Sequence, residues 1–174
     1  MARSRSWSLT RRRGALLAGV LLGALMPLMA ASLAGRLFVW NLSASLPRGL
    51  YRLDRSAPPT RGAVVTFAPP PAVAAMIVAR RYLPPAVSLM KVVVALPGDL
   101  VCVDDDGLFV SGKRVAAIAL QDSAGRPLDP FRFCEALPHD VAFVVTGSPL
   151  SFDSRYFGPV PLASLTVAVP AWTF

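Results

Sequence analysis

A lysine at position 91 stands in SLMKVVVALPGD, an otherwise apolar stretch with strand character and no acidic neighbour within the strand to pair with it. Desolvating an ammonium is costly, so such a lysine either carries its head group to solvent or lowers its pKa from about 10.4 towards neutrality. In the first case it is an edge-strand residue facing water. In the second it is an amine able to take a proton from a serine hydroxyl. Serines that could use it occur in NLSASLPRGLY, where Asn41, Ser43 and Ser45 alternate ahead of a bend at Pro47 to Gly49. An extended segment would place Ser43 and Ser45 on one face. Ser45 could then present its hydroxyl to a cleft, with Ser43 and the Ser45 backbone N–H donating to a developing oxyanion. Taken alone, the same residues also suit a Ser-rich loop.

Other chemistries have less to work with. His139 is the sole histidine, and no G-x-S-x-G elbow supplies a serine to complete a triad with it. Its Pro-flanked turn suits a solvated loop residue. Cys102 and Cys134, with that one histidine, lack the spacing of a zinc site, so neither metal nor cofactor is expected. Spacing does not say whether the two cysteines lie close enough to bond, so a disulfide and two free thiols both stay open. Neither cysteine is expected as the nucleophile.

The elements that must position these residues begin with an apolar run. Residues 14–35 (GALLAGVLLGALMPLMAASLAG) carry no charge and Arg36 ends them. About 22 helical residues span ~33 Å, enough for a bilayer's hydrocarbon core, and Pro27 could kink such a helix without forbidding it. Arg3, Arg5, Arg11, Arg12 and Arg13 precede the run, which by the positive-inside rule keeps the N-terminus cytoplasmic and exports the rest. We therefore expect a basic cytoplasmic flank at 1–13, a transmembrane anchor at 14–36 and an exported domain at 37–174. TRRRGALLAG has a twin-arginine look and MAASLAG offers small residues for cleavage, but the run exceeds the 7–15 residues of an ordinary signal core, which favours an uncleaved anchor. The same arginines supply much of the net charge of +8. The remaining positive charge is scattered without interleaved aromatics, so no nucleic-acid partner is expected.

Beyond Arg36 the chain reads as one β-rich unit. Apolar or alternating runs at 63–67, 87–96, 100–103, 108–110, 141–146 and 165–169 predict strands. Asp105-Asp106-Gly107 and Ser111-Gly112-Lys113 predict hairpin turns. One helix is expected at 72–83, preceded by Pro69-Pro70-Pro71 and stopped by Pro84-Pro85. Of the 174 residues, 54% are hydrophobic and 16% charged, a balance the apolar N-terminal run partly explains.

SASLPRGLY resembles the nucleophile box of the type I signal peptidases, and its P-R-G-L-Y ending is similar to their conjugative-transfer (TraF-type) branch, which processes pilin precursors. KVVVALPGD resembles the general-base box of that family, with Lys91 at the matching spacing before Pro97-Gly98-Asp99. SFDSRYFGPV resembles its last box. Three such boxes in the family's order after one N-terminal apolar run make a specific signal. The resemblance implies Ser45 as nucleophile, Lys91 as general base and Ser43 as the side-chain oxyanion donor. It further implies that Ser151 orients the Lys91 amine, that Asp153 and Arg155 form a supporting ion pair, and that Gly158 makes a turn beside them. Four places depart from the usual pattern: Val92 where a basic residue follows the lysine, Ala95 for a glycine, Arg61-Gly62-Ala63, and Gly147-Ser148-Pro149. These count against a housekeeping signal peptidase.

The implied fold is mainly β, an N-terminal transmembrane helix followed by an antiparallel signal-peptidase-like ectodomain with a short helix. The implied protein is a membrane-bound serine endopeptidase on the periplasmic side of a bacterial inner membrane. Its partners would be a pilin-like precursor, bound as an added strand, and membrane lipid; oligomeric state stays open. The alternatives are a housekeeping type I signal peptidase, a non-catalytic membrane-anchored assembly module of a secretion apparatus, and a self-cleaving regulator, against which the anchor speaks. The separation of Ser45 Oγ from Lys91 Nζ bears on the choice. Hydrogen-bond reach supports the enzyme, and a wide gap with Lys91 turned to solvent supports the module.

Overall fold

A computed structural model of the chain describes residues 37–174 together with Gly23, Met26 and Met29. Those three residues are helical. The expected flank at 1–13 and the rest of the expected anchor at 14–36 lie outside the described residues. Among the described residues no helix is long and apolar enough to cross a membrane. The chain divides into two compact units, Met1–Phe38 and Val39–Phe174.

Eleven strands and two short α-helices follow the apolar run: β1 (Phe38–Asn41), β2 (Gly49–Asp54), β3 (Val64–Phe67), α1 (Pro71–Ala79), β4 (Leu89–Ala95), β5 (Leu100–Val103), β6 (Leu108–Val110), β7 (Lys113–Ala116), β8 (Phe133–Ala136), β9 (Val141–Val145), α2 (Ser154–Phe157), β10 (Val160–Pro161) and β11 (Thr166–Thr173). Seven strands form one sheet in the order β1-β2-β11-β3-β4-β9-β10, and β7-β6-β5-β8 form a second. The β2–β11, β11–β3, β3–β4, β4–β9 and β9–β10 pairs are antiparallel. The fold is thus mainly β, with few helices.

β4 is central rather than marginal. Val65 of β3 lies opposite Lys91, and Val92 lies opposite Val145 of β9, so the edge-strand reading of Lys91 is excluded. Leu89 and Val93 point into the main core with Val65, Phe67, Ile77, Val144, Phe152 and Tyr156. The strand's period of two puts Lys91 on that same face. Met90, on the opposite face, joins Tyr51 and Ala168 in a smaller cluster. A further core of Ala95, Val101, Val103, Leu108, Phe143 and Val145 joins the two sheets.

The expected strands at 100–103 and 108–110 are present with those bounds, and those at 63–67, 87–96 and 141–146 are present with trimmed ends. The expected 165–169 run extends to Thr173 despite Pro170. Beyond Val167 the strand has left β3 and keeps β2 as its partner, a setting in which a strand tolerates proline. The helix expected at 72–83 stops at Ala79. Tyr82 N–H reaches Ile77 O at 2.9 Å and Arg81 N–H reaches Val78 O at 3.0 Å, a closing pair of bonds that turns the chain before the prolines are met. Reading periodicity alone missed β1, β2, β7, β8 and β10; β7 and β8 expose most of their residues, so no apolar run marks them. Cys102 and Cys134 lie directly opposite one another on β5 and β8 and are joined in a disulfide, which settles the open choice.

Candidate active site

Lys91 is 5% exposed, and its Nζ donates to Ser151 Oγ at 2.5 Å. Burial strips water from the ammonium and pulls its pKa down from 10.5 to about 8; the nearby Asp153 carboxylate opposes that shift and the Arg155 guanidinium adds to it. Of the two fates open to a lone lysine in an apolar strand, this chain takes the buried one.

The serines are held differently from the simplest expectation. β1 ends at Asn41, and residues 43–46 form a bend and turn, so Ser43 and Ser45 do not share the face of a strand. The cause is Asn41. Its buried side-chain amide lies 3.1 Å from each of the carbonyls of Ser43, Leu46 and Pro47. Its Oδ1 accepts from Ser43 N at 3.1 Å and from Ser43 Oγ at 2.9 Å. An asparagine that bonds the backbone beyond itself replaces ladder pairing with a turn. Tyr51 Oη fastens the far end by donating to Pro47 O at 2.7 Å. The turn nevertheless brings the two hydroxyls together, with Ser43 Oγ and Ser45 Oγ 2.9 Å apart. Asn41 is a site residue that pattern reading passed over; its signal was an asparagine two positions before a serine at a strand end.

The segment after β9 supplies the support. Asp153 and Arg155 are fully buried and paired at 2.8 Å through Nε and again at 2.8 Å through Nη2. Arg155 also donates to the carbonyls of Ala117 at 2.6 Å, Ser148 at 2.9 Å and Ser151 at 3.0 Å, so every charged face finds a partner. Asp153 caps α2 by accepting from Arg155 N, and Ser154 Oγ accepts from Val144 N at 3.0 Å, tying α2 to β9. Gly158 follows at φ +80°, where an added Cβ would come within 2.9 Å of the Phe131 ring. This frame fixes Ser151 by its own carbonyl, and Ser151 in turn holds the Lys91 amine.

Ser43, Ser45, Lys91 and Ser151 all line one cavity of about 510 Å³, whose walls include Trp40, Leu89 and Phe152. No hydrogen bond joins Ser45 to Lys91. The structure therefore meets neither extreme: the amine is not turned to solvent, and the hydroxyl is not yet in its grip. His139 is exposed and lies elsewhere. Among the described residues no cluster of potential metal ligands occurs. An amine near neutrality facing a serine hydroxyl across a mostly apolar cavity can serve proton transfer to and from that hydroxyl.

The serine turn and the buried amine thus line one cavity of a mainly antiparallel β scaffold. The chain belongs to the family described as signal peptidase, peptidase S26, whose model matches residues 12–172. It is 35% identical over 147 residues to a conjugal transfer protein TraF from Agrobacterium fabrum, covering 77% of this chain and 81% of that one. It is 35% identical over 146 residues to a plasmid transfer protein TraF from Escherichia coli, covering 77% and 82%. A crystal structure of a signal peptidase I from Enterococcus faecalis is 25% identical, covers 62% of this chain and 92% of its own, and has a TM-score of 0.36.

Proposed function

We propose that this protein is a membrane-bound serine endopeptidase that cleaves exported precursor proteins, with a pilin or another conjugative-transfer protein as substrate. The observation that carries the reading is Lys91: a buried amine with its pKa drawn to about 8, facing the same cavity as Ser45 in a chain of the signal peptidase family. In the proposed reaction Ser45 Oγ attacks the scissile carbonyl carbon while its proton passes to Lys91 Nζ. The peptide C–N bond then breaks as the leaving nitrogen takes that proton, and the acyl group stays as an ester on Ser45. A water, or an amine of the substrate, gives its proton to Lys91 and attacks the ester carbonyl, and the C–O bond to Ser45 breaks as Ser45 Oγ takes that proton back from Lys91. Ser43, trading its bond to Asn41 for one to the oxyanion, would supply a side-chain donor. Ser151 would hold Lys91 in line, and Asp153 with Arg155 would hold Ser151.

The conjugative assignment draws on the names of the two transfer relatives and on the P-R-G-L-Y ending of the serine box, where a housekeeping signal peptidase is the alternative. In this reading the catalytic domain lies on the periplasmic side of the inner membrane, held by the anchor expected at 14–36. The test is to incubate full-length protein in liposomes with pilin precursors and housekeeping preproteins and weigh the products. Cleavage of the pilin precursor that depends on Ser45 is expected, and a product lighter by one water would mark resolution by an amine. The missing Ser45–Lys91 hydrogen bond favours one second reading, a non-catalytic membrane-anchored assembly module. Intact precursors of both kinds after incubation would establish that reading instead.

A further inference from the structure

The direction of the hydrogen bonds in the serine turn can be assigned from chemistry alone. The Asn41 amide group faces three carbonyl oxygens at 3.1 Å, so its nitrogen must be the atom on that side and Oδ1 the atom facing Ser43. Oδ1 can only accept. The single proton of the Ser43 hydroxyl is therefore spent on Asn41 at 2.9 Å, and the 2.9 Å contact between Ser43 and Ser45 must be a donation from Ser45. The chain of donors runs from Ser45 to Ser43 to Asn41, away from Lys91, whose own N–H is bonded to Ser151.

We infer that Asn41 is a positioning residue for the nucleophile: its amide nitrogen holds the turn that carries Ser45, and its Oδ1 sets the direction of both serine hydroxyls in the resting site. Two features beyond the bonds themselves point this way. Asn41 is 5% exposed while the serines it serves are open to the cavity or to solvent, so its polar atoms have no role in meeting water. It also ends a strand, and its amide gives the Leu46 carbonyl beyond that end a hydrogen-bond partner, while the Pro47 carbonyl is held by Tyr51 Oη as well. In the resting arrangement Ser45 gives its proton to a neutral oxygen. Substrate entering the cavity must turn that O–H towards Lys91, and Ser43 then keeps Asn41 as its acceptor until an oxyanion competes for it.

The inference rests on the function proposed above, and the test separates the two. Asn41→Ala, Ser43→Ala, their double variant, Asn41→Asp and Ser45→Ala are made in the full-length chain and assayed with an activated ester of a short alanine-rich peptide, with melting followed in parallel. Asn41→Ala should lower kcat on the order of 10- to 100-fold, as misplacing a reacting group does, with KM within about twofold. In the Asn41→Ala background, Ser43→Ala should cost much less than in the wild type, because the hydroxyl it removes has already lost its orientation. If Asn41→Ala does not fold, Asn41→Asp is decisive: it keeps an acceptor for Ser43 but sets a carboxylate against three carbonyls, and should also lose kcat. Wild-type kcat in a folded Asn41 variant, or full additivity with Ser43→Ala, would overturn the inference while Ser45→Ala remained inactive. Activity surviving in Ser45→Ala would instead overturn the proposed function.

Discussion

Lys91 and Ser151 are 60 positions apart in the chain and 2.5 Å apart in space. That contact ties an interior strand of the large sheet to the segment organised by Asp153 and Arg155, whose guanidinium also bonds the Ser151 carbonyl at 3.0 Å. One N–H of the amine is thereby fixed, and the rest of the head group is left to the cavity that Ser45 lines. The predictions below follow from this arrangement.

Ser45 and Lys91 should behave as one unit. Ser45→Ala and Lys91→Ala should each abolish precursor cleavage, and the double variant should be no worse than either. Lys91→Arg should fail as well, because a guanidinium stays protonated at working pH. Mass spectrometry of the precursor after incubation is the readout, and substantial processing by Lys91→Arg would reject the general-base role.

The pH dependence has a definite sign. Activity should rise with pH through an apparent pKa of about 8 as Lys91 loses its proton. Stability moves with it. A buried amine with a depressed pKa destabilises the fold wherever it must be charged, so the penalty is full below about pH 8 and fades as pH climbs to the ordinary 10.5. The gap between the two values is worth about 3 kcal/mol. Lys91→Met should therefore melt higher than wild type at pH 7, with an advantage that shrinks towards pH 10.5; an advantage independent of pH would show that the amine is not buried charged.

The Asp153–Arg155 pair should dominate local stability. Removing one partner leaves a fully buried charge alone, so Asp153→Ala or Arg155→Ala should cost about 3–5 kcal/mol in denaturant unfolding. Asp153→Leu combined with Arg155→Met should recover part of that loss while leaving cleavage impaired, since the carbonyls of Ser148 and Ser151 lose their donor. A double variant with normal activity would show that the pair supports folding alone.

Cys102 and Cys134 should appear as one disulfide in non-reducing mass spectrometry of protein taken from membranes, with neither thiol open to alkylation. Cys102→Ser with Cys134→Ser should unfold about 2–4 kcal/mol more easily while cleavage persists, because the bridge joins β5 to β8 away from the cavity. Loss of cleavage in a folded double variant would contradict that separation.

Ser45 lies nine residues beyond Arg36, which ends the apolar run, and an extended chain advances at most ~3.6 Å per residue, which limits the reach to about 32 Å. A precursor in the same membrane would meet such a site in two dimensions at raised effective concentration. Protein lacking residues 1–36 should keep its activity on short soluble peptides and lose most of it on a membrane-embedded precursor. Equal rates for the full-length and truncated forms in the same liposomes would show that the run does not assist the reaction.

The sequence by itself determined the chemical vocabulary: one lysine without a partner in an apolar strand, one serine pair before a bend, a lone histidine in a loop and a β-rich pattern after Arg36. These are local properties, set by residue type and by periods of two along the chain, and they survive folding unchanged. Tertiary structure decided what each residue became. Lys91 is a surface amine or a buried one according to whether β4 is an edge or a centre, and only the pairing of β3 and β9 on either side settles that. The Ser43–Ser45 segment alternates like a strand, yet Asn41 bonds it into a turn because its amide reaches carbonyls five and six residues ahead. Cys102 and Cys134 meet because β5 and β8 pair, although the two cysteines are separated by 32 positions in the sequence. The burial of Lys91 and the disulfide depend on contacts between distant segments, whose free energies no local pattern records, and the serine turn depends on side-chain bonds that a period of two does not register.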